Sequence, residues 1–173
     1  FQVINKGIEK LHMALLLNAG HVTISELNPT RRKALQRYFR FHGLLDKVEI
    51  IDPSMVKEAL SRAEVIVGAV YDVSAQGSAR APILIDEGTL AEISKTKKKI
   101  IIDVAIDQGG NIAPALPSGQ KSKPKTTHQN PARLDRYGNL RFEVPNMPAA
   151  LDKTASQWLG EATMEYLTAM TDA

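Results

Sequence analysis

The stretch KIIIDVAIDQGG, Lys99–Gly110, decides the fold. Ile100-Ile101-Ile102 is a run of β-branched apolar residues, followed within a few positions by acids, an amide (Gln108) and two glycines. An apolar run without alternation is what a strand covered on both faces needs, because both of its side-chain rows must leave water. Open sheets of that kind take their ligands just beyond the carboxyl ends of the strands. Val104–Gly110 is therefore the first place to look for chemistry.

Outward from this run, short apolar segments alternate with helical periodicities. Phe1–Ile4 reads as a strand. Ile8, Leu11, Leu15 and Leu16 recur at helical spacing over Ile8–Asn18, and Ala19-Gly20 ends that helix. His21–Ile24 is a second strand, so the chain opens as the β-α-β unit of a dinucleotide-binding fold. Asn28 then caps a helix whose first position is Pro29, with an apolar face at Leu35, Tyr38 and Phe39 and with Gly43 near its end. Val48–Ile51 is a third strand. Asp52-Pro53 repeats the cap-plus-proline device ahead of a short helix, Ser54–Ala63. Val65, Ile66 and Val67 make a fourth strand, and Gly68-Ala69 beyond it are small enough to let a flat ligand approach. Tyr71–Ala81 reads as a polar loop, and a helix near Thr89–Lys95 precedes the central strand. After Gly110 the composition shifts, and Asn111–Asn130 reads as loop. Gly138–Val144 forms a turn and a sixth strand, which Pro145-Asn146-Met147-Pro148 breaks. From Leu151 onward Ala155, Leu159, Ala162, Tyr166 and Met170 keep helical spacing. The resulting fold class is α/β: a doubly wound parallel sheet, Rossmann-like, with a C-terminal helix. Residues 1–148 form the dinucleotide-binding domain, and 149–173 form the helix that packs on a core or a partner.

The phosphate-binding signature is incomplete. A G-x-G-x-x-G turn lets backbone approach a pyrophosphate, but Asn5-Lys6-Gly7-Ile8-Glu9-Lys10 keeps Gly7 alone, and Glu9 brings negative charge to that place. Ser25-Glu26 ends the second strand. A carboxylate there accepts hydrogen bonds from a ribose diol and repels a 2′-phosphate; the plainer reading is an exposed acid at a strand end. Arg31 and Arg32 follow closely and leave an NADP preference open. Ser54 is either a contact to adenine or ribose or simply a cap. His128 reads as structural.

The absence of cysteine among the 173 residues excludes disulfides, a thiol nucleophile and a thiolate metal site. The net charge is a mild +3. The basic clusters Lys97–Lys99 and Lys121–Lys125 lack interleaved aromatics and read as solvated surface rather than a nucleic-acid site. No apolar run approaches the roughly 20 residues that span a bilayer, and no signal peptide is recognisable, so a cytoplasmic protein without membrane insertion is expected. Phe1 stands where an initiator methionine is usual, which reads as a fragment, a processed chain, or a chain whose start was not seen.

Two stretches together, IIIDVAIDQGG at Ile100–Gly110 and PNMPAAL at Pro145–Leu151, resemble the alanine dehydrogenase family, which is related to the first domain of the proton-translocating nicotinamide nucleotide transhydrogenase. VTISELN (Val22–Asn28), AEVIVGAV (Ala63–Val70), ARAPILI (Ala79–Ile85), TTHQNP (Thr126–Pro131) and KTAS (Lys153–Ser156) stand in matching order. The resemblance implies NAD as cofactor, a small amino acid as substrate, and the reversible oxidative deamination of L-alanine to pyruvate and ammonia. The protein's share of such chemistry is orientation and proton handling. Carried over by position, Gly7 is what remains of the glycine turn. Glu26, in place of the more usual aspartate, would hold the adenosine ribose with Arg31 beside it, and Ser54 would lie near the adenosine moiety. Val70 and Tyr71 would line the cofactor groove. Val104, Ala105, Ile106 and Asp107 would face the nicotinamide ribose and the reacting centre, with Asp107 catalytic. Val144, Pro145, Asn146 and Met147 would close over the nicotinamide. The family's amino-terminal half, which supplies a catalytic histidine and the substrate-holding lysine and arginine, has no counterpart here. Association with that half, or a homo-oligomer, is therefore expected. Two alternatives accompany this reading: a transhydrogenase-like NAD(H) domain, and a non-catalytic remnant of the fold used for interaction, for which the depleted glycine turn speaks.

Overall fold

The computed structural model describes residues 2–4, 19–70, 81–116, 118, 126–147, 153 and 156. The Ile100 run is β5 (Ile100–Asp103), and it lies inside a seven-stranded sheet of order β3-β2-β1-β4-β5-β7-β6. The other strands are β1 (Gln2–Ile4), β2 (Val22–Ser25), β3 (Val48–Ile51), β4 (Val65–Gly68), β6 (Ala132–Leu134) and β7 (Leu140–Phe142). All ladders are parallel except β6 with β7 at the edge.

Register shows that the sheet is doubly wound. Ile24 aligns with Val3, which aligns with Val67, while the alternate row runs from Thr23 through Gln2 to Ile66 and Ile101. Neighbours in register share a face, and successive residues alternate between faces. Val22, Ile24 and Val48 pack with Phe39 of α1 (Pro29–Phe41). Ile66 and Ile101 pack on the opposite face with Leu60 of α2 (Val56–Arg62) and with Leu90 and Ile93 of α3 (Glu87–Ile93). The strand order reverses between β1 and β4, which is where an open α/β sheet forms its crevice.

The caps explain the helix starts. Asn28 Oδ1 accepts from the N–H of Thr30 (2.9 Å) and Arg31 (3.2 Å), as the Asn-Pro pair predicts. Asp52 Oδ1 accepts from Ser54 N–H (3.1 Å), but the turn it caps is a 3-10 helix, Pro53–Met55, that leads into α2, so the α-helix begins later than Ser54. Asp86 Oδ1 accepts from Thr89 N–H (2.7 Å) and starts α3 two residues before the expected Thr89.

Two expectations are corrected. Lys97–Lys99 is not a uniformly solvated cluster. Lys97 pairs with Glu64, whereas Lys99 is 1% exposed and its ammonium donates to Ala63 O (2.6 Å) and Ser61 O (2.9 Å) at the carboxyl end of α2. Burial lowers the Lys99 pKa. The second correction is β6, an unexpected three-residue strand paired antiparallel to β7. That register sets Arg133 opposite Arg141, and buried Glu143 answers both cations, at 2.7 Å from Arg133 Nε and 2.8 Å from Arg141 Nη2. Arg141 also donates to Ala113 O (2.6 Å) and Ile112 O (3.2 Å), so its guanidinium pins the segment after β5 to the sheet edge.

The expected helix Ile8–Asn18, the loop at 71–80 and the segment Lys121–Lys125 lie outside the described residues. So does the carboxyl-terminal helix apart from Lys153 and Ser156, both of which are helical. Among the described residues no helix is long and apolar enough to cross a membrane.

Candidate functional site at the strand tips

Parallel strands in register finish on one edge. Ile51, Ser25, Ile4, Gly68 and Asp103 align across β3, β2, β1, β4 and β5. The residues just past these ends are Asp52, Glu26, Ala69-Val70 and Val104, and Glu143-Val144 lie just past β7. The fold therefore delivers Glu26, Ser54, Val70, Val104–Asp107 and Val144–Met147 to the same edge of the sheet. β2 and β5 are three ladder steps apart, or roughly 14 Å at the usual strand spacing. Gly7 and Tyr71 lie outside the described residues.

At the β2 end, Glu26 is 5% exposed, and its Oε1 accepts from Asn28 N–H at 2.8 Å. One oxygen thus steadies the turn into α1. Arg32 is committed within the chain: its Nη1 donates to Glu26 O (2.7 Å) and Leu27 O (2.9 Å) and pairs with Asp52 Oδ2 (2.9 Å). Ser54 donates its hydroxyl to Asp52 Oδ1 at 2.9 Å. The N–H and O–H of Ser54, with Arg32 nearby, lower the Asp52 pKa. Arg31 is exposed.

At the β5 end the segment Val104–Gln108 is a 3-10 helix, followed by Gly109 and Gly110 at φ +102° and +88°. Asp103, fully buried, organises the chain beyond them: its carboxylate accepts from Asn111 N–H (2.9 and 3.1 Å) and Ile112 N–H (3.1 Å). A Cβ on Gly110 would stand 2.5 Å from Asp103 Oδ2, so only glycine fits there. Ala105 is fully buried, whereas Asp107 is exposed. Asp107 Oδ2 accepts from Asn146 N–H at 3.0 Å, and Asn146 has φ +51°. Among the described residues this hydrogen bond joins the two stretches that carry the family resemblance. Val144 is buried, Met147 half-buried and Pro145 exposed.

The sequence places Gln108 within the Val104–Gly110 stretch without a role of its own, and reads Asn111 as loop. Gln108 Oε1 is buried and no described residue donates to it. A buried acceptor left unpaired is costly, which makes it a place where a ligand donor would be welcome. Asn111 is fully buried and touches both neighbouring segments. The signal for both was their place beside the glycine pair, where backbone must turn sharply.

These features fit a dinucleotide. There is an acid at the end of β2, a buried acceptor beside Asp107 that is unpaired among the described residues, and a strand order that reverses between β1 and β4.

Comparison with known proteins agrees. The family described as Alanine dehydrogenase/PNT, C-terminal domain, matches residues 6–173. Alanine dehydrogenase 2 of Staphylococcus aureus, from strain USA300 and identically from strain NCTC 8325, is 30% identical over 162 residues, covering 92% of this chain and 38% of that protein. The crystal structure of a transhydrogenase from Sinorhizobium meliloti superposes with a TM-score of 0.67 at 16% identity, over 98% of this chain and 43% of that one. The chain thus spans less than half the length of these relatives.

Proposed function

Because the chain belongs to the alanine dehydrogenase/PNT C-terminal domain family, whose members bind NAD(H), we propose that it is the cofactor-binding part of an NAD-dependent L-alanine dehydrogenase. NAD, when bound, supplies the hydride acceptor. The remaining work falls to side chains of the protein. Glu26 would accept hydrogen bonds from the adenosine ribose diol, with Arg31 and Ser54 bordering it. Val70 and Tyr71 would line the groove, and Gly7 would allow close approach near the pyrophosphate. Val104, Ile106 and Val144–Met147 would enclose the nicotinamide side, with Ala105 supporting them from the core. Gln108 Oε1 would gain its absent donor there.

Asp107 carries the choice of reaction. Oxidative deamination needs water oriented toward the oxidised carbon and protons moved on and off nitrogen and oxygen. A carboxylate on the rim, its Oδ2 held at 3.0 Å from Asn146 N–H, suits both tasks. Hydride exchange between two nucleotides needs no such group, so Asp107 favours the dehydrogenase over the transhydrogenase-like reading. In this proposal residues 1–148 form the cofactor domain. The helix in 149–173 packs on a substrate-binding segment or a second copy, and the location is cytoplasmic.

The test is calorimetric titration of the chain with NAD and NADP. The expected result is saturable binding of NAD in the micromolar range, with NADP clearly weaker. No binding at millimolar NAD overturns the proposal and supports a non-catalytic remnant. In the whole protein, Asp107→Asn is expected to abolish alanine-dependent NADH formation while leaving NAD affinity nearly unchanged; equal losses in both show Asp107 to be structural.

A further inference from the structure

Asn111 comes directly after the glycine pair and is fully buried, yet its carboxamide is spent on backbone that other strands have released. Its Oδ1 accepts from Val70 N–H at 2.8 Å, and its Nδ2 donates to Val70 O at 3.1 Å and Pro82 O at 2.9 Å. Pairing both polar groups of one residue is what a neighbouring strand would do, and at Val70 the ladder with β5 has already ended. The Asn111 main chain is held just as fully. Its N–H meets the Asp103 carboxylate, and its carbonyl accepts from Leu84 (2.7 Å) and Ile85 (3.2 Å). Gly68 leaves room for this arrangement, since a Cβ there would come within 3.1 Å of Asn111 Cβ.

We infer that Asn111 is a positioning residue for dinucleotide binding: it fixes the backbone at the tip of β4, over the crevice, relative to the Val104–Asp107 segment anchored by Asp103. The inference rests on the NAD-binding reading. Val70 sits where the strand order reverses, and its N–H and C=O would end in the crevice unpaired without the carboxamide. Any slack between Val70 and Asp103 is slack between two walls of the groove, and a loosely held groove loses affinity to the cost of ordering it.

The test uses the chemistry of the carboxamide. In Asn111→Asp, the ionised side chain still accepts from Val70 N–H but sets an anion against the carbonyls of Val70 and Pro82. The protonated acid regains one donor and the neutral shape of asparagine. NADH affinity is measured by fluorescence at pH 8 and pH 5.5 for wild type and variant, with circular dichroism confirming the fold at each pH. The expected result is at least a tenfold loss in the variant relative to wild type at pH 8, narrowing to within about threefold at pH 5.5. Lys99→Met, a buried change remote from the tips, is expected to lower stability with no change in NADH affinity at either pH. Should Asn111→Asp fail to fold at pH 8, Asn111→Ser serves in its place: it keeps one short hydroxyl, and a tenfold loss is expected at both pH values. Wild-type binding with an unchanged constant in the folded Asn111 variant overturns the role of Asn111 alone. Absence of NADH binding by wild type overturns the NAD-binding reading itself.

Discussion

Gly110→Ala should be among the most damaging single-methyl additions in the described chain, and the reason is local. Gly110 has φ +88°, and a Cβ there would lie 2.5 Å from Asp103 Oδ2, 3.2 Å from Asp103 Cγ and 3.4 Å from Ile106 Cδ1. The nearest atom ends a side chain, which would ordinarily give way. Asp103 is held, however: it is fully buried and bound by the N–H groups of Asn111 and Ile112. Moving the carboxylate leaves at least one of those donors unpaired. A left-handed alanine costs about 1–2 kcal/mol, and a hydrogen bond to a charged group is worth about 1.5–3 kcal/mol, so the loss is roughly 2.5–5 kcal/mol. Gly109→Ala separates the two contributions, because Gly109 has φ +102° but nothing within 4 Å of its added Cβ. It should lose only the conformational part, about 1–2 kcal/mol. Urea unfolding of both variants at one pH, with the slope unchanged, measures the difference directly. A gap of about 1.5 kcal/mol or more is expected. If the two variants lose the same stability within about 0.5 kcal/mol, Asp103 is not a fixed anchor.

Glu26→Gln keeps the acceptor for Asn28 N–H and removes the charge, so the fold should persist while the preference for NADH over NADPH narrows; an unchanged ratio of the two dissociation constants removes Glu26 from the ribose site. Asp86 caps α3, and the N–H and hydroxyl of Thr89 lower its pKa from 3.8. A carboxylate whose folded pKa is depressed contributes stability in full above its unfolded value and loses it as pH falls through the folded value. The stability gap between wild type and Asp86→Ala should therefore be constant above about pH 5 and shrink below 3.8. A gap that does not depend on pH would show that the contribution of the cap is not electrostatic.

What was legible in the sequence was whatever a single segment determines. Asn28-Pro29 and Asp52-Pro53 are local devices, and both cap as expected because donor and acceptor lie within three residues. The Ile100 run marked a parallel strand, but not one covered on both faces: Ile101 is buried, Ile102 half-buried and Ile100 41% exposed. β6 was not legible, since three residues carry no period and this strand exists only because β7 offers an edge. Lys99 reads as solvated with its neighbours because charge in a row looks exposed until a helix end is brought to it. Its partners, Ser61 and Ala63, are 38 and 36 residues away. Gln108 lies in the stretch singled out for chemistry, but its unpaired oxygen, like the pairing of Asn111 with Val70 and Pro82, is not legible on the same ground: the mark is a partner, or its lack, across the fold.

The same distinction bears on which nucleotide the crevice accepts. In a parallel sheet every strand points the same way, so the residue after each strand lands on one edge however far apart the segments lie in the chain. Glu26 and Asp107 share an edge for that reason alone. Charge near that edge is a different matter. Read linearly, Arg31 and Arg32 offer a 2′-phosphate two cations. In the fold, Arg32 spends its guanidinium on Glu26 O, Leu27 O and Asp52, and taking it away would leave two carbonyls and a carboxylate to re-pair. A phosphate would have to displace those contacts while facing the carboxylate of Glu26, whereas a ribose diol held as proposed would meet an acceptor there. The strand direction sets where the ligand lies; the internal pairing of Arg32 tilts the choice toward the unphosphorylated cofactor.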